Sequence, residues 1–348
     1  MSGLSETTRR NFLLGAVAAP GLGAVCGASA RRPDGCVRFC AFADMHYQPH
    51  LRPNDNVEFL EKVLLRAARE KVDFIIHLGD LCHNVLRDHE YLDLYNDFHI
   101  PTYHVMGNHD GEMNDNAWTL KAYRLEKFYY SFDRCGFRFI VGDPNYMRTL
   151  DDKDLHYEKY NVVSTKRKKA GYFPDEQVAW IRKTIMESPY PCVFFSHQSV
   201  ERETGGVANW REIRDIFDEA NRREPGKVRM AINGHYHLDN FRMIRDVAYL
   251  DLNSACCQYY PKPHKAYPED YVKTHPSAPY FLAWKEPLSA IVTLTADGGI
   301  KIDGSESEFL FGITPAKAGV REGDPCGRIT TARIDSVDLK VNFGRRAS

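Results

Sequence analysis

The chain has 348 residues, of which 43% are hydrophobic and 12% aromatic. It can therefore bury one large core or two modest ones, which excludes a disordered protein. Acidic and basic residues nearly cancel, with 47 Asp and Glu against 46 Lys and Arg. Because a dedicated nucleic-acid-binding protein is usually basic, we expect no nucleic-acid partner.

The first thirty residues have the pattern of an export signal. Arg9 and Arg10 precede Phe12 and an apolar stretch, and residues 28–30 are the small residues of a cleavage site. The stretch is shorter than the roughly 20 residues that a membrane span needs. The paired arginines resemble a twin-arginine (Tat) signal peptide. This resemblance implies export by the Tat translocase of a bacterial cell and a periplasmic or secreted mature protein. No later segment is apolar enough to form a transmembrane segment.

Short apolar runs alternate with helical stretches along the rest of the chain. The apolar runs predict strands at 37–43, 73–78, 102–106, 137–141, 192–196, 228–232, 247–252 and 290–294. Helical spacing of apolar residues predicts helices at 57–69, 90–97, 175–187 and 210–221. The early alternation indicates βαβ units, and the later closely spaced strands are typical of antiparallel or mixed sheet. Both fit an α/β protein with a four-layer α/β/β/α sandwich, in which helices flank two mixed sheets.

The same pattern divides the chain into three parts. Residues 1–30 are the predicted signal, and residues 31–303 form one predicted catalytic domain. Residues 304–348 contain Gly and Pro and then an alternating run at 337–341, which predicts a small C-terminal β-rich extension. A cell-surface module, in which this extension mediates attachment, remains an alternative.

Five short motifs of metal-binding residue types each follow a predicted strand. They are Asp44-Met45-His46, Gly79-Asp80, Gly107-Asn108-His109-Asp110, Ser196-His197 and Gly234-His235-Tyr236-His237. In α/β sheets, ligands gather outside the carboxyl ends of the strands, where neighbouring loops converge. Glycine before the ligands is expected where the backbone turns sharply or approaches a metal closely. The order and placement of the motifs together predict a centre for two cations.

The ordered pattern D-x-H, G-D, G-N-H-D, a single His and G-H-x-H resembles that of the calcineurin-like metallophosphoesterases, and it spans residues 44–237. The resemblance implies seven metal ligands. They are Asp44, His46 and His237 for one ion, Asn108, His197 and His235 for the other, and Asp80 as a bridge between both. It also implies that His109 stands near the leaving group rather than on a metal.

The resemblance implies hydrolysis of a phosphoric ester at this centre. Two cations about 3.5–4 Å apart can clamp a phosphate and generate a metal-bridging hydroxide for in-line attack. We expect His109 to protonate or stabilise the leaving alkoxide, and Asp110 to orient the imidazole of His109. Oxygen and nitrogen donors without cysteine suit two divalent or trivalent transition-metal ions, namely Mn, Fe, Zn or Co, without choosing among them.

The substrate expected from this resemblance is a small organic phosphomonoester or phosphodiester. A purple ferric enzyme is not expected, because the third position after Asp80 is His83, where purple acid phosphatases have tyrosine. Residues beside the motifs are candidates for contacting the phosphate or the leaving group. They are His83, Asn84, Gln198, Arg202 and Tyr236.

Two other classes of protein remain open. Residues 235–239 also match the H-x-H-x-D motif of metallo-β-lactamase-like hydrolases, although Asn240 stands where those enzymes have a histidine. A secreted metal-binding protein without turnover would use the same ligands. Structural metal sites usually close their coordination sphere, whereas His109 is left as an acid without a metal, and this favours an enzyme.

Overall fold

The computed structural model describes residues 35–48, 57–158 and 165–343, so the predicted signal peptide at 1–30 lies outside the described residues. In chain order, the strands β1 to β17 are Cys36–Phe42, Phe74–Leu78, Thr102–Val105, Tyr130–Arg134, Phe137–Val141, Tyr146–Thr149, Asp154–His156, Arg167–Ala170, Cys192–Phe195, Val228–Asn233, Asn240–Ile244, Val247–Asp251, Cys257–Tyr259, Phe281–Ala283, Ala290–Thr295, Gly299–Gly304 and Val337–Lys340. The helices α1 to α8 are Val57–Arg69, His89–Asn96, Asn108–Glu112, Asn116–Ala122, Asp175–Met186, Trp210–Arg223, Glu269–Thr274 and Pro315–Ala318. Short 3₁₀ turns occupy Ala278–Tyr280 and Leu310–Gly312.

Most of the strands form two six-stranded mixed sheets. The first has the order β17-β16-β15-β1-β2-β3, in which β1, β2 and β3 are parallel and the rest pair antiparallel. The second has the order β11-β12-β10-β9-β5-β4, with antiparallel strands only at its two edges. The connections β1–β2, β2–β3, β5–β9 and β9–β10 each contain a helix, as the βαβ pattern predicts, whereas the parallel strands β10 and β12 are connected through β11.

Three buried apolar clusters define the layers. The central cluster lies between the sheets, where the ring of Phe139 from β5 contacts Phe39 and Phe74 from β1 and β2 at centroid distances of 5.7 and 4.8 Å. A second cluster packs α1 and α2 on the outer face of the first sheet, and a third packs α5 and α6 on the second. The fold is therefore the predicted four-layer sandwich.

The amphipathic pattern of α1 shows why this helix forms where it does. Its buried residues recur at helical spacing, so one face of the helix is apolar and packs on the first sheet. The predicted range 57–69 is confirmed, and the other predicted helices and strands are present with end shifts of one or two residues. Among the described residues, no helix is long and apolar enough to cross a membrane.

The C-terminal residues pack on the same core as the rest of the chain. The strand predicted at 337–341 is present as β17 and pairs with β16 at the edge of the first sheet. Ile313, Ala332 and Ile334 belong to the central apolar cluster. The domain boundary at residue 303 and an attachment role for the extension stay predictions.

Candidate metal centre

The five motifs lie at one edge of the sandwich, where strands of both sheets end. Strands β1, β2 and β3 end just before Asp44, Asp80 and Asn108, and β9 and β10 end just before His197 and His235. The two sheets are joined at this edge, because His197 Nδ1 donates to the carbonyl of Leu78 at 2.7 Å. The five motifs therefore converge at the carboxyl ends of the strands, as the sequence predicts.

One group of ligand atoms consists of Asp44, His46 and His237. The Nε2 atoms of the two histidines are 3.0 Å apart, and Asp44 Oδ1 lies 3.3 Å from His237 Nε2 and 3.8 Å from His46 Nε2. Two ligands about 2.1 Å from one ion, at ordinary bond angles, lie roughly 3.0–3.4 Å from each other. Two of the three distances fall in this range, and the third, between Asp44 Oδ1 and His46 Nε2, is 0.4 Å longer than its upper end.

A second group consists of Asp80, His197 and His235. His197 Nε2 lies 3.1 Å from Asp80 Oδ2 and 3.3 Å from His235 Nδ1. The same Asp80 oxygen is 3.8 Å from Nε2 of His46, which belongs to the first group. Asp80 thus stands between the two groups, where a bridging carboxylate is required.

Two orphaned oxygen atoms support the fit of metal ions to these groups. Asp44 Oδ1 and Asn108 Oδ1 are buried and have no hydrogen-bond partner among the described residues. A buried polar atom without a hydrogen-bond partner destabilises the fold, so another partner for it is expected. A cation bound to each oxygen would satisfy it, and oxygen donors of this kind suit a metal ion.

The tautomers of two histidines are fixed by backbone carbonyls. His237 Nδ1 donates to the carbonyl of Cys257 at 2.7 Å, as His197 Nδ1 does to Leu78. A carbonyl oxygen can only accept, so each Nδ1 carries a proton and each Nε2 faces its ligand group. This arrangement is typical of metal-binding histidines.

Burial and the neighbouring charges shift the pKa values of the central groups. Although burial opposes it, the imidazoles of His197 and His109 hold the pKa of the Asp80 carboxyl well below its usual range. Burial lowers the pKa of His197, but the Asp80 carboxylate outweighs this and raises it to about 9. Burial, together with His197, lowers the pKa of His235 to about 3. The Asp80 carboxyl is therefore ionised over the whole neutral range.

Five of the seven predicted ligands have left-handed backbone conformations, which non-glycine residues rarely adopt. They are Asp44, His46, Asp80, His235 and His237, with φ between 50° and 76°. Each such residue costs about 1–3 kcal/mol and persists only where its surroundings hold it. Backbone contacts supply part of that hold, because the amides of Asp44 and His46 donate to the carbonyls of Gly79 and Asp80 at 3.0 and 2.8 Å.

Asp110 lies beneath the loop that carries Asp80. Its carboxylate accepts the amides of Asp80 and Gly107, both at 2.8 Å, and the hydroxyl of Tyr123 at 2.6 Å. Burial, and then the nearby Asp80, raises the pKa of Asp110 to about 6. These contacts join the ends of β2 and β3. Orientation of the His109 ring by Asp110 stays a prediction.

His109 stands beside the two ligand groups. Its amide donates to Asp80 Oδ1 at 2.8 Å, and its ring stacks on His83 with a centroid distance of 4.8 Å. Ligand atoms of His46, Asp80 and His109 also converge within 4.8 Å of one another. The geometry is therefore compatible with a proton donor at the site and with a third ligand group.

The structure places one of the five predicted substrate residues against a predicted ligand, because His83 Nε2 is 2.9 Å from His46 Nδ1. Gln198 and Tyr236 adjoin predicted ligands in the sequence, and Gln198 Oε1 is buried with no hydrogen-bond partner among the described residues. Asn84 instead accepts the amide of Arg87 at 3.0 Å in a turn, and Arg202 is buried against Tyr236. Contact with substrate stays a prediction for all five.

Two residues that bond the backbone of the turns carrying the predicted ligands belong to none of the sequence motifs. The Nε2 of Gln258 donates to the carbonyls of Tyr236 and His237 at 3.2 and 3.0 Å. The hydroxyl of Ser254 donates to the carbonyl of Asp44 at 2.9 Å. Both come from the segment after β12, and their partners lie far away in the sequence, so spacing gives no signal for them.

Close packing around Gly107 predicts a large effect of a single methyl group. A Cβ at this position would lie 2.1 Å from Asp80 Oδ1 and 2.3 Å from Asp80 N. We expect Gly107→Ala to displace Asp80 and to weaken metal binding by roughly 10- to 100-fold. Elemental analysis of the desalted protein measures this effect.

Gly171→Ala is the control for this substitution. Gly171 has a φ of +66° and nothing within 4 Å of an added Cβ, so alanine there introduces backbone strain without a clash. We expect a loss of stability of about 1 kcal/mol in urea unfolding, with unchanged metal content. Equal metal content in both variants would contradict the close approach of Gly107 to Asp80.

Comparison with known proteins places this geometry in a family. Residues 37–239 match the sequence model described as calcineurin-like phosphoesterase. No curated protein sequence matches the chain. A dimetal phosphatase from Danio rerio is similar in structure, with 17% identity, a TM-score of 0.53, and coverage of 79% of this chain and 99% of that one. A structure described as PhoD has 13% identity and a TM-score of 0.45 over 77% of this chain and 65% of that one.

Asp239, which the alternative H-x-H-x-D pattern would use as a ligand, has a different environment. Its Oδ2 accepts the amide of Asp335 at 2.7 Å, and among the described residues it belongs to none of the groups of convergent ligand atoms. The structure therefore gives no support to a metallo-β-lactamase-like centre.

Proposed function

This chain belongs to the calcineurin-like phosphoesterase family and is a metal-dependent phosphoesterase, and from that premise we propose that it hydrolyses small organic phosphomonoesters or phosphodiesters. The observation that carries the proposal is the pair of ligand groups with Asp80 between them. The near-neutral charge of the chain supports a small substrate over a polyanion.

We assign the ligands as the family pattern implies. Asp44, His46 and His237 would hold one ion, Asn108, His197 and His235 would hold the other, and Asp80 would be shared by both. Two bound cations supply Lewis acidity, which polarises a phosphoryl oxygen and lowers the pKa of an attacking water. Asp44 and Asp80 supply the negative charge that keeps cations in a buried site.

The protein's own acid is His109 in this proposal. Its ring lies beside His46 and His83, at centroid distances of 5.3 and 4.8 Å, within reach of a group bound between the ligand sets. As an imidazolium it gives its proton to the leaving oxygen, which would otherwise depart as a high-energy alkoxide. Asp110 acts at a distance, because its hydrogen bonds fix the loop on which Asp80 stands.

The cellular location is proposed from residues 1–30 alone. Their paired arginines and small-residue cleavage pattern favour a Tat-exported periplasmic or secreted enzyme. Fusion of residues 1–35 to a reporter protein that requires the Tat route would test this. Export that is lost when Arg9 and Arg10 are changed to lysine would support the proposal, whereas export unaffected by that change would contradict it.

Metal removal tests the proposed activity directly. We expect the protein to lose turnover of p-nitrophenyl phosphate or its bis-ester when a chelator strips the metals, because the residues alone provide no Lewis acid. Readdition of Mn, Fe, Zn or Co is expected to restore it. Initial rates for both ester types, with elemental analysis of the same sample, measure the effect and the preference for a monoester or a diester. Metal-replete protein that is inert on a broad phosphoester panel would favour a binding protein instead.

A further inference from the structure

The turn that carries His235 and His237 is connected to the C-terminal part of the chain, beyond the residues that match the family. The guanidinium of Arg202 stacks on the ring of Tyr236, with Cζ 3.7 Å from the ring centroid. Arg202 Nη2 in turn donates to the carboxylate of Asp324. Three side chains thus link residue 324 to the turn between the two ligands.

Arg202 is held by these two partners and by Cys326, whose Sγ lies 3.7 Å from the same Nη2. Arg202 is 5% exposed, and its Nε and Nη1 atoms have no hydrogen-bond partner among the described residues. Removal of Asp324 would therefore leave a buried guanidinium with less compensation for its charge. Arg328 also approaches Asp324, at 3.5 Å, and both residues lie in the segment between α8 and β17.

Tyr236 is held by hydrogen bonds to its hydroxyl as well as by the stacking of Arg202 on its ring. The hydroxyl donates to the carbonyl of Gly205 at 2.7 Å and accepts the amide of Ser199 at 3.2 Å. With the ring held in this way, the residues on either side have little freedom to rotate. Both are strained, with φ of 76° at His235 and 54° at His237, so the turn needs an external hold to keep its shape.

We propose that Arg202 and Asp324 are positioning residues for this turn, so that the C-terminal segment sets the affinity of the centre for its cations. The inference rests on the proposed role of His235 and His237 as metal ligands. It also replaces the substrate role predicted for Arg202. The carboxylate of Asp324 already occupies an anion position on the guanidinium, and the side chain lies beneath the surface.

The test compares Arg202→Gln, Asp324→Asn and the double variant in the full chain, with Co(II) as the probe. We expect each variant to bind Co(II) roughly 10- to 100-fold more weakly, with a changed visible absorption spectrum, because outer-sphere partners orient the ligands. The double variant should lose little more than one single variant, since both changes break the same connection. Thermal unfolding by circular dichroism identifies any variant that fails to fold.

Amide hydrogen exchange of the metal-free proteins gives a readout that does not depend on metal binding. Peptides covering residues 234–239 should exchange faster in the variants than in the unmodified chain, since the turn is less restrained. Should the unmodified chain bind no Co(II), the proposed function fails. Faster exchange would still support the connection, and unchanged exchange would overturn it.

Arg211→Gln is the matched control. Arg211 also stacks on an aromatic ring, that of Trp210 at 4.3 Å, and pairs with Glu203, but it is exposed and makes no hydrogen bond or ion pair with the described residues 234–239. We expect unchanged Co(II) affinity and exchange. The proposal is overturned if Arg202→Gln binds Co(II) with unchanged affinity, or if its only effect is a raised KM, which would return Arg202 to substrate binding.

Discussion

Asp80→Asn is expected to empty the centre of its cations and to abolish turnover. Asp80 is 1% exposed and its Oδ2 faces His197 in one ligand group and His46 in the other. The amide removes one of only two negative charges among the seven predicted ligands. An uncompensated charge in a buried site costs about 3–5 kcal/mol, and 1.4 kcal/mol is about a tenfold change in affinity. Metal content after desalting and initial rates on p-nitrophenyl phosphate measure the outcome.

Asp88→Asn controls for the loss of a buried carboxylate. Asp88 is 6% exposed and accepts from Arg87 Nε at 2.6 Å, and among the described residues it belongs to none of the groups of convergent ligand atoms. We expect this variant to lose some stability and to keep both metals and turnover. If Asp80→Asn retained two ions, the bridging assignment would be wrong.

The elements that carry the motifs could be predicted because their sequence signal is local. Strand β2, FIIHL, is buried along its whole length, as expected for a strand covered on both faces, and its apolar run ends where the Gly79-Asp80 turn begins. The predicted ligands that follow these strands are Asp, His and Asn, all of which can bind a metal ion. Five motifs in a fixed order therefore contain enough information to locate the site.

Several strands, most of them at sheet edges, were missed because they have no continuous apolar run. Strand β8, RKKA, has no apolar run and pairs with β6, which lies about twenty residues earlier. Its exposed charges are compatible with an edge strand as well as with a loop, so the sequence does not decide between them. Strands β4 and β11 are likewise half-exposed edge strands, formed by hairpins with β5 and β12.

The residues that support the metal centre could not be predicted, because their partners lie in other elements of the fold. His77, inside the apolar run of β2, is buried and its Nε2 lies 2.7 Å from Nδ1 of His104 on β3. Its Nδ1 accepts the amide of Gly79, so the proton must be on Nε2, which donates to His104. Neither the pair nor the contact between Arg202 and Asp324 has a spacing that identifies it, because each joins separate elements through the fold.

His109→Ala is expected to lower kcat by roughly 10²- to 10⁴-fold, the usual contribution of a positioned proton donor, while both cations stay bound. Truncation removes the ring but keeps the amide that donates to Asp80 Oδ1, so the bridging carboxylate should not move. The loss should depend on the leaving group. An alkyl phosphate needs a proton on its departing oxygen, whereas p-nitrophenolate departs readily without one. Rates for both substrates, with metal content of the same samples, separate these effects.

His264→Ala serves as the control, because His264 is buried and donates to the carbonyl of Phe281 at 2.9 Å in a different part of the fold. The His264→Ala variant should be less stable, and its rate should depend on the leaving group as in the unmodified chain. Release of metal from His109→Ala would assign the ring to the third group of convergent atoms, with His46 and Asp80. Equal losses for alkyl and nitrophenyl esters would instead leave the ring near the site without a role in proton transfer, because a general acid must help a poor leaving group more than a good one.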